Sequence, residues 1–434
     1  MPNNASDPLA ELLRSAAAHF SAAEDELRNS RDPEREFRLA LDDYNEALLQ
    51  SPSHPAALRG RAVTLVKRAG GDLFFRRDTL ERWDSGITAL DAELDRDPAQ
   101  LELLLYRAEA RTCRARCELD HEHDPTPDAQ KGIADGAAAV KLDGTCGEAY
   151  LRRGEARLVV AEFMARRQQH DALGQSELAV ADFVEAERRG YRELDLYLHR
   201  AMAHRCHGVA REIREENPIA SFDKAIAVLS EAIRLDPTRP ATYGERAIIQ
   251  EFKAKALLRQ RVDPFPAWSD AIADYSENIR RAPSDVQAYV HRATARVYFS
   301  QLLAAIGRNP LPELANAIDD CDEALRLHPD FGLAYSVRAG TFKLQGDIEA
   351  QVGQNPRTSY ERALKEAEIA LLRGVRTWSV LMTRAQSLQI LEKRPEAARA
   401  YEELSKVPGL SPEVLLYIKE QIKRLFDDEQ DPAR

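Results

Sequence analysis

The sequence predicts an all-α protein, a right-handed α-solenoid of about nine helical hairpins closed by a C-terminal capping helix. Three observations carry that expectation. A Tyr/Leu-x-x-Arg-Ala/Gly pattern recurs at Arg61, Arg107, Arg153, Arg200, Arg246, Arg292, Arg338 and Arg384, at a spacing that departs from constancy by one position at a single place. Asp-Pro and Asn-Pro pairs, then isolated prolines, recur in register with it. No segment shows the alternation of a half-buried strand. A fixed period of roughly 20–50 residues marks stacked units that cannot bury their apolar faces alone.

The elements follow in chain order. Residues 1–7 are expected to be a disordered N-terminus. Asp7-Pro8 opens a first helix with Leu12 and Ala16 at the patterned positions. Residues 8–411 form the array, with eight long units starting near 9, 55, 101, 147, 194, 240, 286 and 332 and one short unit at 378–411. In each long unit the first helix carries the Tyr/Leu and the Arg. The second is opened by Asp32-Pro33, Asp124-Pro125, Asn217-Pro218, Asp263-Pro264, Asn309-Pro310 or Asn355-Pro356, and by Asp78-Thr79 without the proline. A side-chain oxygen there accepts the free amide protons of the first turn, and proline suits the first helical position. Pro52, Pro98, Pro237, Pro283 and Pro329 stop that helix. In the unit around Tyr289, Trp268, Ala271/Ile272, Tyr275 and Ile279 follow helical spacing. Short connections leave helices of roughly 18–20 residues, longer than the average. Ser411-Pro412 begins the capping helix, 412–428, whose stripe is Leu415, Ile418, Ile422 and Leu425/Phe426, with Lys419, Lys423 and Arg424 facing away; 429–434 is a tail.

Composition bounds the function. A net charge of −11 on 434 residues, with scattered basic residues, argues against a general binder of nucleic acid or anionic membrane. There is no leader-like start and no run of about 18 apolar residues. Five cysteines, an odd number, fit free thiols in a reducing cytosol. Arg outnumbers Lys 49 to 12, the usage of a GC-rich bacterial genome. A cytoplasmic protein is expected.

The second helices carry small–large–small triplets: Ala40/Tyr44/Ala47, Ala179/Phe183/Ala186, Ala225/Leu229/Ala232, Ala271/Tyr275/Asn278, Ala317/Cys321/Ala324 and Ala363/Ala367/Ala370. With the closing proline, these positions resemble the tetratricopeptide repeat over about residues 8–428. The resemblance implies a helical-hairpin fold and a concave face made by the first helices. The family unit has about 34 residues, so each long unit here holds about a dozen more. That excess is read as lengthened helices, because the Asp/Asn-Pro caps sit inside it. The last unit lacks it: Ala397 follows Ala385 at the family's own short spacing, with Tyr401 and Leu404 beyond.

An acid stands at a fixed distance before most of the arginines, on the neighbouring second helix. The expected structural ion pairs are Arg61–Asp43, Arg153–Asp135, Arg200–Asp182, Arg292–Asp274, Arg338–Asp320 and Arg384–Glu366. Such pairs fix register between helices more than they add stability. Phe37, Trp83, Phe222, Trp268 and Tyr360 are expected to pack under the first helix rather than to form a stacking surface. Cys113, Cys117 and His121 at i, i+4 and i+8 spread over about 12 Å, too far for one ion. No metal or cofactor is expected there, and His199, His204, Cys206 and His207 read as groove or solvent histidines beside a thiol. No nucleophile has an orienting acid or an oxyanion loop, and Gly70-Gly71 follows no strand, so no catalytic residue and no enzyme is expected.

Carried over by the resemblance, the ligand face would comprise Leu105, Leu151, Val159, Leu198, Met202, Ile248, Phe252, Val290, Tyr298 and Leu344, with Met382 in the last unit. This apolar row fits a peptide or an amphipathic partner helix better than a charged C-terminus. The expected function is a protein–protein interaction scaffold or adaptor. The alternative is a regulatory sensor subunit controlling a separately encoded kinase or protease. The partner is a protein or peptide, with no nucleic acid and no membrane insertion, and the oligomeric state stays open.

Overall fold

The computed structural model describes residues 7–29, 31–74 and 80–427. The Asp78-Thr79 cap, the first six residues of the expected N-terminal segment and the 429–434 tail lie outside the described residues. The described residues form nineteen helices and no strand.

The chain packs as two units, Met1–Ala232 and Ile233–Arg434. The first contains α1 (Pro8–Arg28), α2 (Glu34–Gln50), α3 (Pro55–Phe74), α4 (Leu80–Arg96), α5 (Leu101–Asp120), α6 (Thr126–Leu142), α7 (Gly147–Arg166), α8 (Ala172–Arg188), α9 (Leu194–Ile213) and most of α10 (Ile219–Leu235). The second contains α11 (Pro240–Arg259), α12 (Phe265–Arg281), α13 (Val286–Ala305), α14 (Leu311–Leu327), α15 (Gly332–Gln351), α16 (Arg357–Leu372), α17 (Trp378–Ile390), α18 (Arg394–Ser405) and α19 (Pro412–Asp427). Consecutive helices pair as hairpins, as in α7 with α8 and α11 with α12, and several first helices also pack on one another, as in α5 on α7 and α13 on α15. Each first helix from α3 to α15 has 20 residues, and the second helices have 16 or 17. The excess over the family unit is thus helical. In the last hairpin α17 and α18 fall to 13 and 12 residues.

The recurring punctuation has a physical basis. In the second helices an Asp or Asn oxygen accepts the N–H two residues on: Asp32 from Glu34 at 3.1 Å, Asp263 from Phe265 at 2.9 Å and Asn309 from Leu311 at 3.1 Å. The proline between them occupies the cap itself and not the expected first helical position, so the helix starts one residue later. First helices end on a left-handed residue at Glu122, Gln168, Glu215, Arg261, Gly307, Gly353 and Glu392. The next N–H reaches back to close the last turn, as from His123 to Glu118 at 2.9 Å and from Arg308 to Leu303 at 2.8 Å. The prolines that end the second helices do more than stop them. Their carbonyls accept from the tyrosine six residues on: Pro237 from Tyr243 at 3.3 Å, Pro283 from Tyr289 at 3.3 Å and Pro329 from Tyr335 at 3.1 Å. Closing proline and patterned tyrosine are therefore one device, satisfying a carbonyl that has no helical partner.

The triplets form the core. All their alanines are fully buried, and Phe183, Leu229, Tyr275 and Cys321 are at most 1% exposed. Phe37, Trp83, Phe222, Trp268 and Tyr360 are buried as well, against the lengthened first helices. In α19, Ile418 and Leu425 are buried, and Gln421 hydrogen-bonds Gln389 of α17 at 3.1 Å.

Most units follow the patterned arginine with alanine, but Arg153 is followed by Gly154. A Cβ there would stand 2.7 Å from the Phe183 ring, which is fully buried and has nowhere to move. Gly154→Ala is therefore expected to destabilise the protein by about 1–3 kcal/mol. Chemical denaturation measures this, and an unchanged midpoint would show that the hairpin has room to spare.

Candidate functional site

The patterned arginine is a three-sided clamp. Its Nε/Nη edge binds a carboxylate on the second helix of its own hairpin: Arg107 on Asp135 at 3.1 and 2.6 Å, Arg153 on Asp182 at 3.0 and 2.6 Å, and Arg246 on Asp274 at 2.7 and 2.7 Å. Arg292 binds Asp320 at 3.0 and 2.5 Å and Arg338 binds Glu366 at 3.0 and 2.7 Å. The other Nη reaches the preceding hairpin, where Arg107 meets Asp91 at 2.7 Å, Arg292 meets Ser276 at 3.0 Å and Arg338 meets Asp322. The tyrosine one turn back lies against the guanidinium, 5.3 Å from Arg153 and 5.8 Å from Arg292.

The expected pairs are corrected accordingly. Arg153 does not bind Asp135, nor Arg292 Asp274, nor Arg338 Asp320; each takes the acid one period later. Arg200 pairs with Glu187, not Asp182, and Arg384 with Glu403 at 3.0 Å, not Glu366. Arg61 forms no pair with Asp43, whose buried Oδ2 has no hydrogen-bond partner. The physical reason is periodicity: with one arginine and one acid per unit, the acid that precedes one arginine is also the acid that follows the previous one. Antiparallel packing within a hairpin brings the second set together. The defects fit that register. Arg61 and Arg200 have Ala89 and Val228 at their own-hairpin acid positions, and Asp43 has Ser15 where its arginine would stand.

The expected ligand row divides. Leu151 and Val159 are fully buried, and Leu105 at 9% and Val290 at 7% are nearly so, because first helices are covered on several sides by their neighbours. Leu198, Met202, Ile248, Phe252 and Leu344 are half-buried, as is Met382. Tyr298 is 39% exposed, stacked on Trp268 with centroids 5.0 Å apart. Lys255 Nζ lies 5.0 Å from the Tyr298 ring, 5.7 Å from Trp268 and 6.0 Å from Phe252, so these aromatics hold a cation of the chain itself.

In the first unit the first-helix face carries linked ion pairs. Lys67 of α3 meets Glu109 of α5 at 3.5 Å, Glu109 meets Arg152 of α7 at 3.3 Å, and Arg152 meets Glu155 at 3.2 Å. Glu155 then meets His199 of α9 at 3.1 Å. A parallel line joins Arg116 to Glu162 at 3.0 Å and Glu162 to Arg205 at 3.7 Å. Burial pushes the Glu155 carboxyl up, but Arg152 and His199 outweigh it and bring its pKa down to about 2.

The same face opens between α1, α3 and α5 of the first unit into a cleft of about 430 Å3, and in the second unit into one of about 380 Å3. Gln287, Val290, His291 and Thr294 line it from one side of α13, with Phe331, Leu333 and Val337 from the start of α15 and Glu251 from α11. At its base the Tyr275 hydroxyl donates to Glu251 at 2.6 Å, Lys255 approaches the same carboxylate at 3.2 Å, and His291 stacks on Tyr275 at 5.7 Å. Of the expected row only Val290 lines this cleft. The signal for the others was the i, i+3, i+4, i+7 spacing of 287, 290, 291 and 294, one helix face extending a turn earlier than the row assumed.

The cysteine and histidine groups do not converge on a site. His121 Nδ1 donates to the Cys117 carbonyl at 2.7 Å, and no group of three or more His, Cys, Asp or Glu among the described residues could hold a metal ion. Burial and nearby carboxylates push the Cys113 and Cys206 thiols up to about 12. His207 meets Ser221 at 2.8 Å, and burial with Lys224, Arg200 and His207 lowers His204 to about 4.

Two substitutions test the clamp register. Asp320→Asn strands Arg292 and Arg296 and is expected to cost about 3 kcal/mol. Asp43→Asn, at an acid without its arginine, is expected to stay within about 0.5 kcal/mol. Denaturation of both gives the contrast, and equal effects would contradict it. A third follows from Glu155, whose folded pKa lies below the ordinary 4.5. Its contribution to stability is full above about 4.5 and is lost as pH falls through about 2. Stability should therefore rise with pH less steeply across that window in Glu155→Gln; a slope equal to the parent's would refute the pairing.

No protein-family profile matches the chain, and no curated protein matches it by sequence. Among solved structures it is similar to human IFIT1 in a dimer with PPP-AAAA, at 14% identity over 97% of this chain and 85% of that one, with a TM-score of 0.46. A tetratricopeptide repeat protein from Parabacteroides merdae aligns at 14% identity over 75% and 98% of the two chains, with a TM-score of 0.41. YrrB, described as a TPR protein with an unusual peptide-binding site, aligns at 15% identity over 57% and 95%, with a TM-score of 0.31. The paired helices, the buried small–large–small triplets and the closing prolines make this chain an all-α array of helical hairpins built on one repeated unit.

Proposed function

We propose that the chain is a non-enzymatic interaction scaffold that takes a peptide or partner helix into the cleft of α11, α13 and α15. The observation that supports this is the cleft itself. Apolar Val290, Phe331, Leu333 and Val337 form walls for a side chain, and Gln287, His291 and Thr294 offer hydrogen bonds at the rim. Its volume suits one or two anchoring side chains, the arrangement by which a few residues dominate an interface. Glu251 is already engaged by Tyr275 and Lys255, so it positions the floor and is not poised to react.

Leu333 is 46% exposed and lines the cleft, so a charge there reaches the ligand without entering the core. Leu333→Asp is expected to abolish partner capture by the full chain from its native cell while the melting temperature stays within about 2 °C. Capture that survives the substitution would contradict the cleft as the docking place.

A further inference from the structure

A second surface of the second unit, away from the cleft, lies along the turns that join first to second helices. Large apolar side chains stand exposed there at four successive turns. Leu258 is 49% exposed, Val262 50%, Ile306 54%, Leu311 39%, Val352 65% and Ile390 45%. Ile306 and Val352 occupy the same position, the residue closing the first helix. In the first unit that position carries His121, Arg167 and Arg214. The change from polar to apolar is therefore specific to these hairpins.

The charge of the edge differs from that of the chain. Arg259, Arg261, Arg308, Arg357, Lys393 and Arg394 stand at these turns against Asp263 and Glu392, in a protein of net charge −11. Arg261, Arg308 and Lys393 are exposed, and Arg357 meets Glu361 at 3.0 Å. An exposed apolar row marks an interaction surface, and a rim with an excess of basic over acidic residues fits a partner of acidic character.

We propose that this edge docks an acidic amphipathic helix that presents one apolar side chain every seventh residue, with Asp and Glu flanking it. The spacing supports a helix. Successive first helices α13, α15 and α17 pack directly on one another, which places equivalent turns roughly 8–10 Å apart. An α-helix rises about 10 Å in seven residues, so one apolar residue per heptad meets one turn of the array. The basic rim orients the acidic flanks and speeds encounter. This docking does not depend on the cleft reading.

Panning the full chain against a displayed library of random peptides, each long enough for three heptads, tests the proposal. The peptides recovered are measured by fluorescence anisotropy against the parent, the pair Ile306→Gln/Val352→Gln and the pair Arg261→Glu/Arg308→Glu, with thermal melting of each. The expected result is enrichment of acidic sequences with apolar residues seven apart. Each pair of substitutions should weaken binding at least about tenfold, and added salt should weaken binding to the parent. Leu333→Asp should leave this binding unchanged, which separates it from the cleft. Peptides that bind through Leu333 and ignore both edge variants overturn the proposal. So does the absence of any enriched acidic pattern, or binding of these side chains to phosphatidylserine vesicles in place of peptides. Should either pair melt early, its single substitutions, each at an exposed position, carry the same reading.

Discussion

The structure rests on one guanidinium in each regular hairpin. Each patterned arginine of the regular units binds the acid of its own second helix on one edge and, at several positions, a polar group of the preceding second helix on the other. Arginine alone has the geometry for this, a planar fork with donors on two sides that stays charged at any ordinary pH. The carboxylates are only 4–10% exposed and the arginines 16–21%, so the pair forms only where both helices are in place. The tyrosine one turn earlier ties the same arginine to the proline carbonyl that closes the previous helix. Motif, stop signal and acid are thus parts of one joint, and the joint sets the register of the stack.

Lengthening both helices has a consequence for the first ones. A first helix of 20 residues is covered by its own second helix, by the preceding second helix and by neighbouring first helices. Little of it stays free to form a continuous apolar face. In the first unit ion pairs run along the remaining strip from Lys67 to Glu155, beside a cleft of about 430 Å3 between α1, α3 and α5. In the second unit it opens between α13 and α15, and apolar surface also moves outward to the turns at Ile306 and Val352. Two classes of surface on one repeat follow from the same sequence period, because each position of the unit can vary independently of the joint.

The fold was legible because its signals are local. A capping Asp-Pro, a closing proline and a buried alanine each report on their own few residues, and repeated copies of each leave no ambiguity about helix pairing. The ion pairs were legible as columns but not as partners. The column of acids that precedes the arginines is, shifted by one unit, the column that follows them, and only the interruptions at Ala89, Val228 and Ser15 carry the distinction. The candidate cleft was harder still. Leu151 shares the helical position of Val290, and Val159 that of Tyr298, yet both are fully buried while Val290 touches the cleft and Tyr298 is exposed. That difference comes from the side chains of adjacent hairpins, which no single helix face records.

The claim that the arginine of a regular unit joins the two helices of its own hairpin is tested most directly by double-mutant cycles on Arg292. One cycle pairs Arg292→Leu with Asp320→Asn and the other pairs it with Asp274→Asn. The account predicts a coupling energy of about 1–3 kcal/mol for Arg292 with Asp320 and about zero, to within roughly 0.5 kcal/mol, for Arg292 with Asp274. Coupling to Asp274 as large as that to Asp320, or none to Asp320, would contradict it.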